Sequence, residues 1–225
     1  MGEIFGIILT VLAYFVGLTV YKRTKIALLN PVLTAIVCII AVLNVLDLDY
    51  EFYNRGGKMI TFILGPIVVL LAVPLYKNIE RIKGHLLPVL AGVLAGMVTS
   101  VLSVVALCGL FGLDLTFMRS LYSKSITTPL AIEVTNLSGG IEGLTVVAVI
   151  MTGIIGATLA PFVMKIGKID DELAKGIGIG TSSHGIGTSK AIEMGSEAGS
   201  GSGLAMGLTG ILTVLAASLI FGLLT

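Results

Sequence analysis

The chain has 225 residues, of which 56% are hydrophobic and 12% charged, with a net charge of +1. Its mean hydropathy is +1.06. Charge this sparse is about half that of ordinary soluble domains, so the sequence reads as one integral membrane domain over residues 1–225, and the near-neutral balance without a basic face excludes a nucleic-acid-binding module.

Six apolar stretches approach the ~20 residues needed to cross about 30 Å of hydrocarbon. In chain order they are Ile4–Val20, Ala27–Leu46, Ile60–Tyr76, Leu86–Leu113, Leu144–Ile166 and Leu204–Leu224. The first lacks the basic leader and small-residue cleavage site of a signal peptide and reads as a retained helix. The second is the weakest, interrupted by Asn30, Pro31 and Asn44. Cys38 and Cys108 lie alone in separate stretches and make neither a metal motif nor a disulfide framework.

Basic residues set the expected orientation, because loops rich in Lys and Arg stay cytoplasmic. Lys22, Arg23 and Lys25 put the first loop inside, the mixed loop Asp47–Lys58 falls outside, and Lys77, Arg81 and Lys83 return the chain inside. The fourth stretch exits near Asp114, and Lys165 with Lys168 favour an inside end for the fifth. On this pattern residues 1–58 form a scaffold, 59–202 a core, and 203–225 the last span.

Two segments do not fit simple spans. Phe117–Gly140 and Glu172–Ser202 are moderately apolar but broken by Gly, Pro, Ser or Thr. Each either dips in and returns or crosses fully, so the expected fold is an all-α integral membrane protein with six to eight transmembrane segments. In SITTPLAIEV, Thr128 reads as the N-cap of a half-helix and Pro129 as its first residue. In GIGIGTSSHGIG, residues 176–187, an apolar half ends near Gly180, TSSHG forms the break, and a second half starts near Gly187 or Thr188. Irregular backbone at membrane depth is tolerated only where protein buries it or a watery cavity meets it. A helix N-terminus there carries about half a positive charge and four unpaired donors, which suits a carboxylate. Pro66 and Pro129 occupy comparable places before long apolar stretches, which suggests the inverted repeat common in secondary transporters.

The runs GIGTSSHGIGTSKAIEMGSEAGSGSGLAMGLTG, SITTPLAIEVTNLSGGIEGLTVVAVIMTGIIGA and LGPIVVLLAVPLYKNI resemble the LrgB/CidB family over nearly the whole chain. The resemblance implies a multi-pass protein of the bacterial inner membrane. It also implies one of two roles. The first is that of an antiholin-like or holin-like component acting with a small LrgA/CidA-type partner. The second is transport of small monocarboxylates such as pyruvate, or glycolate and glycerate as in plastid relatives. Glu133 departs from the small or apolar residue expected there, so the resemblance does not cover its role.

Each candidate residue has a plainer reading beside the functional one. His184, with a side-chain pKa nearest neutrality, is expected to bind substrate or carry a coupling proton, against simply tying the broken backbone together. Thr181, Ser182, Ser183 and Thr188 either bind the anion or cap the half-helices. Thr127, Thr128 and Pro129 form the opposing helix end, with Asn136 and Ser138 capping its far side. Gly176, Gly178, Gly180, Gly185 and Gly187 are expected chiefly to let helices approach closely, and Gly185 is also expected to take part in substrate binding. Lys190 either balances the substrate carboxylate or pairs with Glu193 or Glu197. Glu197, which recurs in the family motif, and Glu133 are further candidates for coupling.

No zinc-protease motif, nucleophile elbow or cofactor fingerprint is present, so an enzyme is not expected. The expected function is a secondary transporter of small monocarboxylates, without a cofactor and coupled to H+ or Na+. A homodimer is expected, with a small LrgA/CidA-type partner in the holin-like alternative. A carrier saturates, whereas a passive pore leaks many solutes.

Overall fold

The computed structural model describes residues 2–24, 26, 29–63, 66, 84 and 86–222, and these are helical without a strand among them. The chain forms two compact units, Met1–Val69 and Leu70–Thr225.

In the first unit, α1 (Gly2–Thr24), α2 (Pro31–Val45) and α3 (Tyr50–Phe62) pack through small residues. Asn30 starts α2 by accepting from the Val32 amide at 2.9 Å, and Pro31 opens the helix where its missing N–H is no loss. At 15 residues α2 rises about 22 Å, less than the hydrocarbon thickness. The segment expected as an outer loop, Asp47–Lys58, is instead mostly helix α3. Its aromatic and small residues face α1: Gly56 backs onto Gly6, Phe52 lies 5.6 Å from Phe5 between ring centroids, and the Tyr53 hydroxyl meets Thr10 Oγ1 at 2.9 Å. The charges were the misleading signal, since they occupy only the other side of an amphipathic helix. Most of the third apolar stretch, including Pro74 and the loop at Lys77, Arg81 and Lys83, lies outside the described residues.

The second unit alternates long helices with short ones. α4 (Leu86–Leu110) leads to α5 (Leu115–Leu121) and α6 (Thr128–Ser138), then α7 (Glu142–Ile166), α8 (Glu172–Met194) and α9 (Ser196–Gly222). Among the described residues, four helices are long and apolar enough to cross a membrane: α1, α4, α7 and the 196–220 part of α9. α9 starts at Ser196, well before the expected Leu204, so SEAGSGSG belongs to the last long helix rather than to the broken segment Glu172–Ser202.

Small residues explain that extension. A Cβ on Gly176 would strike the Ala198 carbonyl, and one on Gly180 would strike the Ser202 carbonyl, so α8 and α9 touch backbone to backbone. Such approach is how membrane helices gain packing energy without a hydrophobic drive between them. Gly180→Ala is therefore expected to overpack the α8–α9 contact, a cost of about 1–3 kcal/mol. Gly203, with nothing within 4 Å of its would-be Cβ, should accept Ala neutrally or with slight gain. Thermal unfolding of both variants in one detergent checks the contrast.

Candidate functional site

His184 interrupts α8 with φ 42° and ψ −137°, a backbone conformation that side chains other than glycine's rarely adopt. The chain bends back sharply there. A Cβ on Gly187 would lie 3.2 Å from the carbonyl oxygen of Ile179, eight residues earlier in the sequence. A straight helix would separate them by about 12 Å. Ile179 and Ala191, on opposite sides of the bend, share one buried cluster with Ala160 of α7 and Ala198 of α9. The break thus falls on one residue, with the second half starting at Gly185 rather than near Gly187 or Thr188.

The other interrupted segment is two short helices, α5 and α6, separated by residues 122–127. Asp114 caps α5 by accepting from the Phe117 amide at 2.8 Å. Thr127, not Thr128, is the N-cap of α6, and Pro129 falls within its first turn; the Thr127 side chain makes no capping bond. At the far end Gly139, in left-handed conformation at φ 73°, ends the helix in place of the expected Asn136 or Ser138, because only a residue without Cβ turns there freely. Asn136 is exposed, and Ser138 Oγ donates to the Thr135 carbonyl at 3.1 Å. The Thr145 hydroxyl bonds Thr135 Oγ1 at 2.7 Å and the Ser120 carbonyl at 2.8 Å, fastening α5 and α6 to α7.

Both bends meet the middle of the long helices. His184 Nε2 donates to the Val149 carbonyl at 2.9 Å, because the carbonyl can only accept, leaving Nδ1 as the ring atom that exchanges a proton. Val149 is also buried in one cluster with Tyr122 and Ile126 of the α5–α6 turn and Ala131 of α6. Gly153, one turn further along α7, leaves room for the ring: a Cβ there would stand 2.7 Å from His184 Cε1. Gly156 likewise admits Ser183, and Gly96 on α4 admits Thr181. On α9, Met206 faces Gly185, and a Cβ on Gly210 would meet Leu130 of α6.

The hydroxyls around His184 differ in what they do. Thr188 Oγ1 donates to the His184 carbonyl at 2.8 Å and meets Ser202 Oγ at 2.9 Å, so it ties the bend to α9. Ser182 is exposed and bonds Ser183 Oγ at 2.9 Å, while Ser183 itself is buried. Thr181 is 3% exposed, and its Oγ1 has no hydrogen-bond partner in the protein. The buried Oγ1 of Thr127 also has none. Native proteins rarely leave such groups unmet.

The charged candidates are spread apart. Lys190 pairs with Glu193 at 3.0 Å on a partly open face, the plainer of its two readings. Glu133 and Glu197 are exposed, so neither carboxylate sits in the buried cluster. The sequence reading missed Lys124 in the α5–α6 turn, whose Nζ donates to Ser100 Oγ of α4 at 3.1 Å and to Ser125 Oγ at 3.3 Å. A single lysine just before SITTP, inside an otherwise uncharged run, was the available signal.

Apolar helices of crossing length, alternating with short helices whose bends gather hydroxyls and an imidazole, define a polytopic α-helical membrane protein. The chain belongs to the LrgB-like family, whose model matches residues 10–223. It is 42% identical over 206 residues to the uncharacterized protein YxaC of Bacillus subtilis, covering 92% of this chain and 90% of that one. It is 35% identical over 214 residues to the uncharacterized protein YwbG of the same organism, covering 95% of each. The antiholin-like protein LrgB of Bacillus cereus is 33% identical over 216 residues, covering 96% of this chain and 94% of that protein. No solved structure gives a significant match.

Removing the imidazole separates strain from bonding. His184→Gly loses the bond to Val149 but relaxes a backbone that costs other residues about 1–3 kcal/mol. His184→Ala loses the bond and keeps the strain. The glycine variant is expected to be the more stable by about 1 kcal/mol, read as a higher unfolding temperature in the same detergent.

Proposed function

We propose that this protein is a secondary transporter of small monocarboxylates in the plasma membrane of a bacterial cell. The carrying observation is the buried Thr181 hydroxyl, unmet by any protein group, beside the His184 bend. In an apolar bundle an unmet donor is costly, and a ligand with acceptor oxygens supplies the missing bond. The α6 N-terminus at Thr127 adds donors and positive potential suited to a carboxylate, and the second ring nitrogen of His184 joins it as a donor when the imidazole carries a proton on both nitrogens.

The element order supports the same reading. At roughly 1.5 Å per residue, α5, α6 and the two halves of α8 are each too short to cross. If the α5–α6 pair enters from one side and the α8 pair from the other, their tips meet near the midplane, as in inverted-repeat transporters. Alternating access then moves the broken helices relative to the long ones, with H+ or Na+ coupling, and with His184 the first proton carrier to test ahead of Glu133 or Glu197. A homodimer fits the exposed apolar faces of α1 and α2.

A second reading is favoured by the antiholin-like name of the Bacillus cereus relatives. In it the protein tunes membrane permeability with a small LrgA/CidA-type partner, and the buried hydroxyls only shape the bundle.

Uptake of labelled pyruvate and glycolate into proteoliposomes holding only this chain, with and without a pH gradient, separates the two. The carrier reading expects saturable uptake that collapses in His184→Ala. It expects Thr181→Val to raise the half-saturating concentration about tenfold with thermal stability kept, since that hydroxyl has no protein bond to lose. Non-saturable leakage of unrelated solutes, equal in wild type and variants, would transfer the assignment to the permeability role.

A further inference from the structure

Lys124 carries an ammonium into the α5–α6 turn, yet among the described residues no carboxylate pairs with it; the ion pairs there are Lys175–Glu172 and Lys190–Glu193. Its partners are two serine hydroxyls, which also contact each other at 2.9 Å. An ionisable group at membrane depth without a counter-ion marks a site rather than a packing element.

The donors that remain can be counted. An ammonium has three N–H groups, and two are used on Ser100 and Ser125. The two serines hold two hydroxyl protons between them, and one is used in their mutual bond. One N–H and one O–H are left, which matches the two oxygens of a carboxylate, and the single positive charge matches a monoanion.

The position fits the transport site. Ser100 lies four residues beyond Gly96 on α4, hence on the same face about 6 Å along the axis. Gly96 is where Thr181 rests, so the unmet Thr181 hydroxyl and the Lys124 cluster stand about one helical turn apart on α4. Ile126, two residues past Lys124, is buried with Val149, whose carbonyl holds His184. A small molecule with a carboxylate at one end and a keto or hydroxyl group at the other would span these two points.

We propose that Lys124, Ser100 and Ser125 form the subsite that holds the carboxylate of the transported monoanion, with Thr181 facing its second oxygen function; this rests on the carrier reading above. His184 then serves the bend and the proton rather than the anion's charge.

Pyruvate uptake into proteoliposomes and pyruvate-dependent thermal unfolding in detergent, both on the full chain, test it. Lys124→Gln should raise the half-saturating concentration by about tenfold or more, while Lys124→Arg, which keeps the charge, recovers most of the loss. Wild type should be inhibited by lactate and not by its uncharged amide, a preference Lys124→Gln loses. Should Lys124→Gln fail to assemble, Ser100→Ala decides, with a smaller rise in the same direction. Wild-type half-saturation and an intact lactate preference in Lys124→Gln, or in Ser100→Ala where it stands in, would overturn the subsite while leaving the carrier reading in place. If wild type takes up no pyruvate, the carrier reading falls. The anion subsite then stands only if pyruvate still raises the unfolding temperature of wild type and Lys124→Arg but not of Lys124→Gln. Absence of any such shift removes both.

Discussion

A main chain that leaves helical geometry inside hydrocarbon must find its hydrogen-bond partners in protein, because lipid offers none. The bend at His184 meets that demand with an imidazole reaching a carbonyl on α7 and with Thr188 bridging the bend to Ser202 of α9. These bonds require three helices to stand unusually close. Glycines at 153, 156, 176 and 180 allow it, since a Cβ at any of them would collide with the neighbouring segment. The small-residue content of the sequence and the broken helix are therefore one requirement seen at two scales.

The enclosure has a functional side. Each bend is held by the middle of long helices rather than by their ends: Val149 and Gly153 on α7, Gly96 and Ser100 on α4, Met206 and Gly210 on α9. Polar groups thereby collect along the middle of the long apolar helices, with His184, Thr181 and Ser183 buried among them. The α8 bend leans on α9 through backbone contact, while α5 and α6 are fastened to α7 by the Thr145 hydroxyl, which meets the Ser120 carbonyl and the Thr135 hydroxyl. The two interrupted segments are thus anchored in different ways, one by backbone contact and one by side-chain hydrogen bonds.

Much of this was legible in the residues. The long helices α1, α4 and α7 follow from uninterrupted apolar runs, and the Gly/Ser/Thr/His composition of residues 176–187 announced a break. Periodicity could not say which residue bends. Glycines flank His184 and would each take a positive φ more cheaply, but its ring has a partner on α7 that no glycine could reach. Composition misled at α3, where charges on one face hid an aromatic face packed on α1. It also misplaced Ser196–Ser202, which belong to α9 rather than to the broken segment before it, where small residues let α9 close on α8. Lys124 escaped notice because its significance depends on Ser100, twenty-four positions earlier, and no local pattern joins them.

The acceptor that holds His184 is a main-chain carbonyl, and that shifts where the protein is tolerant of change. Any amino acid at position 149 offers the same oxygen, so drift in the Val149 side chain leaves the imidazole its anchor. Vulnerability moves instead to Gly153, where even one methyl group would crowd the ring atoms. A histidine that looks like the residue to protect is thus guarded by a glycine thirty-one positions before it, which carries no chemistry of its own.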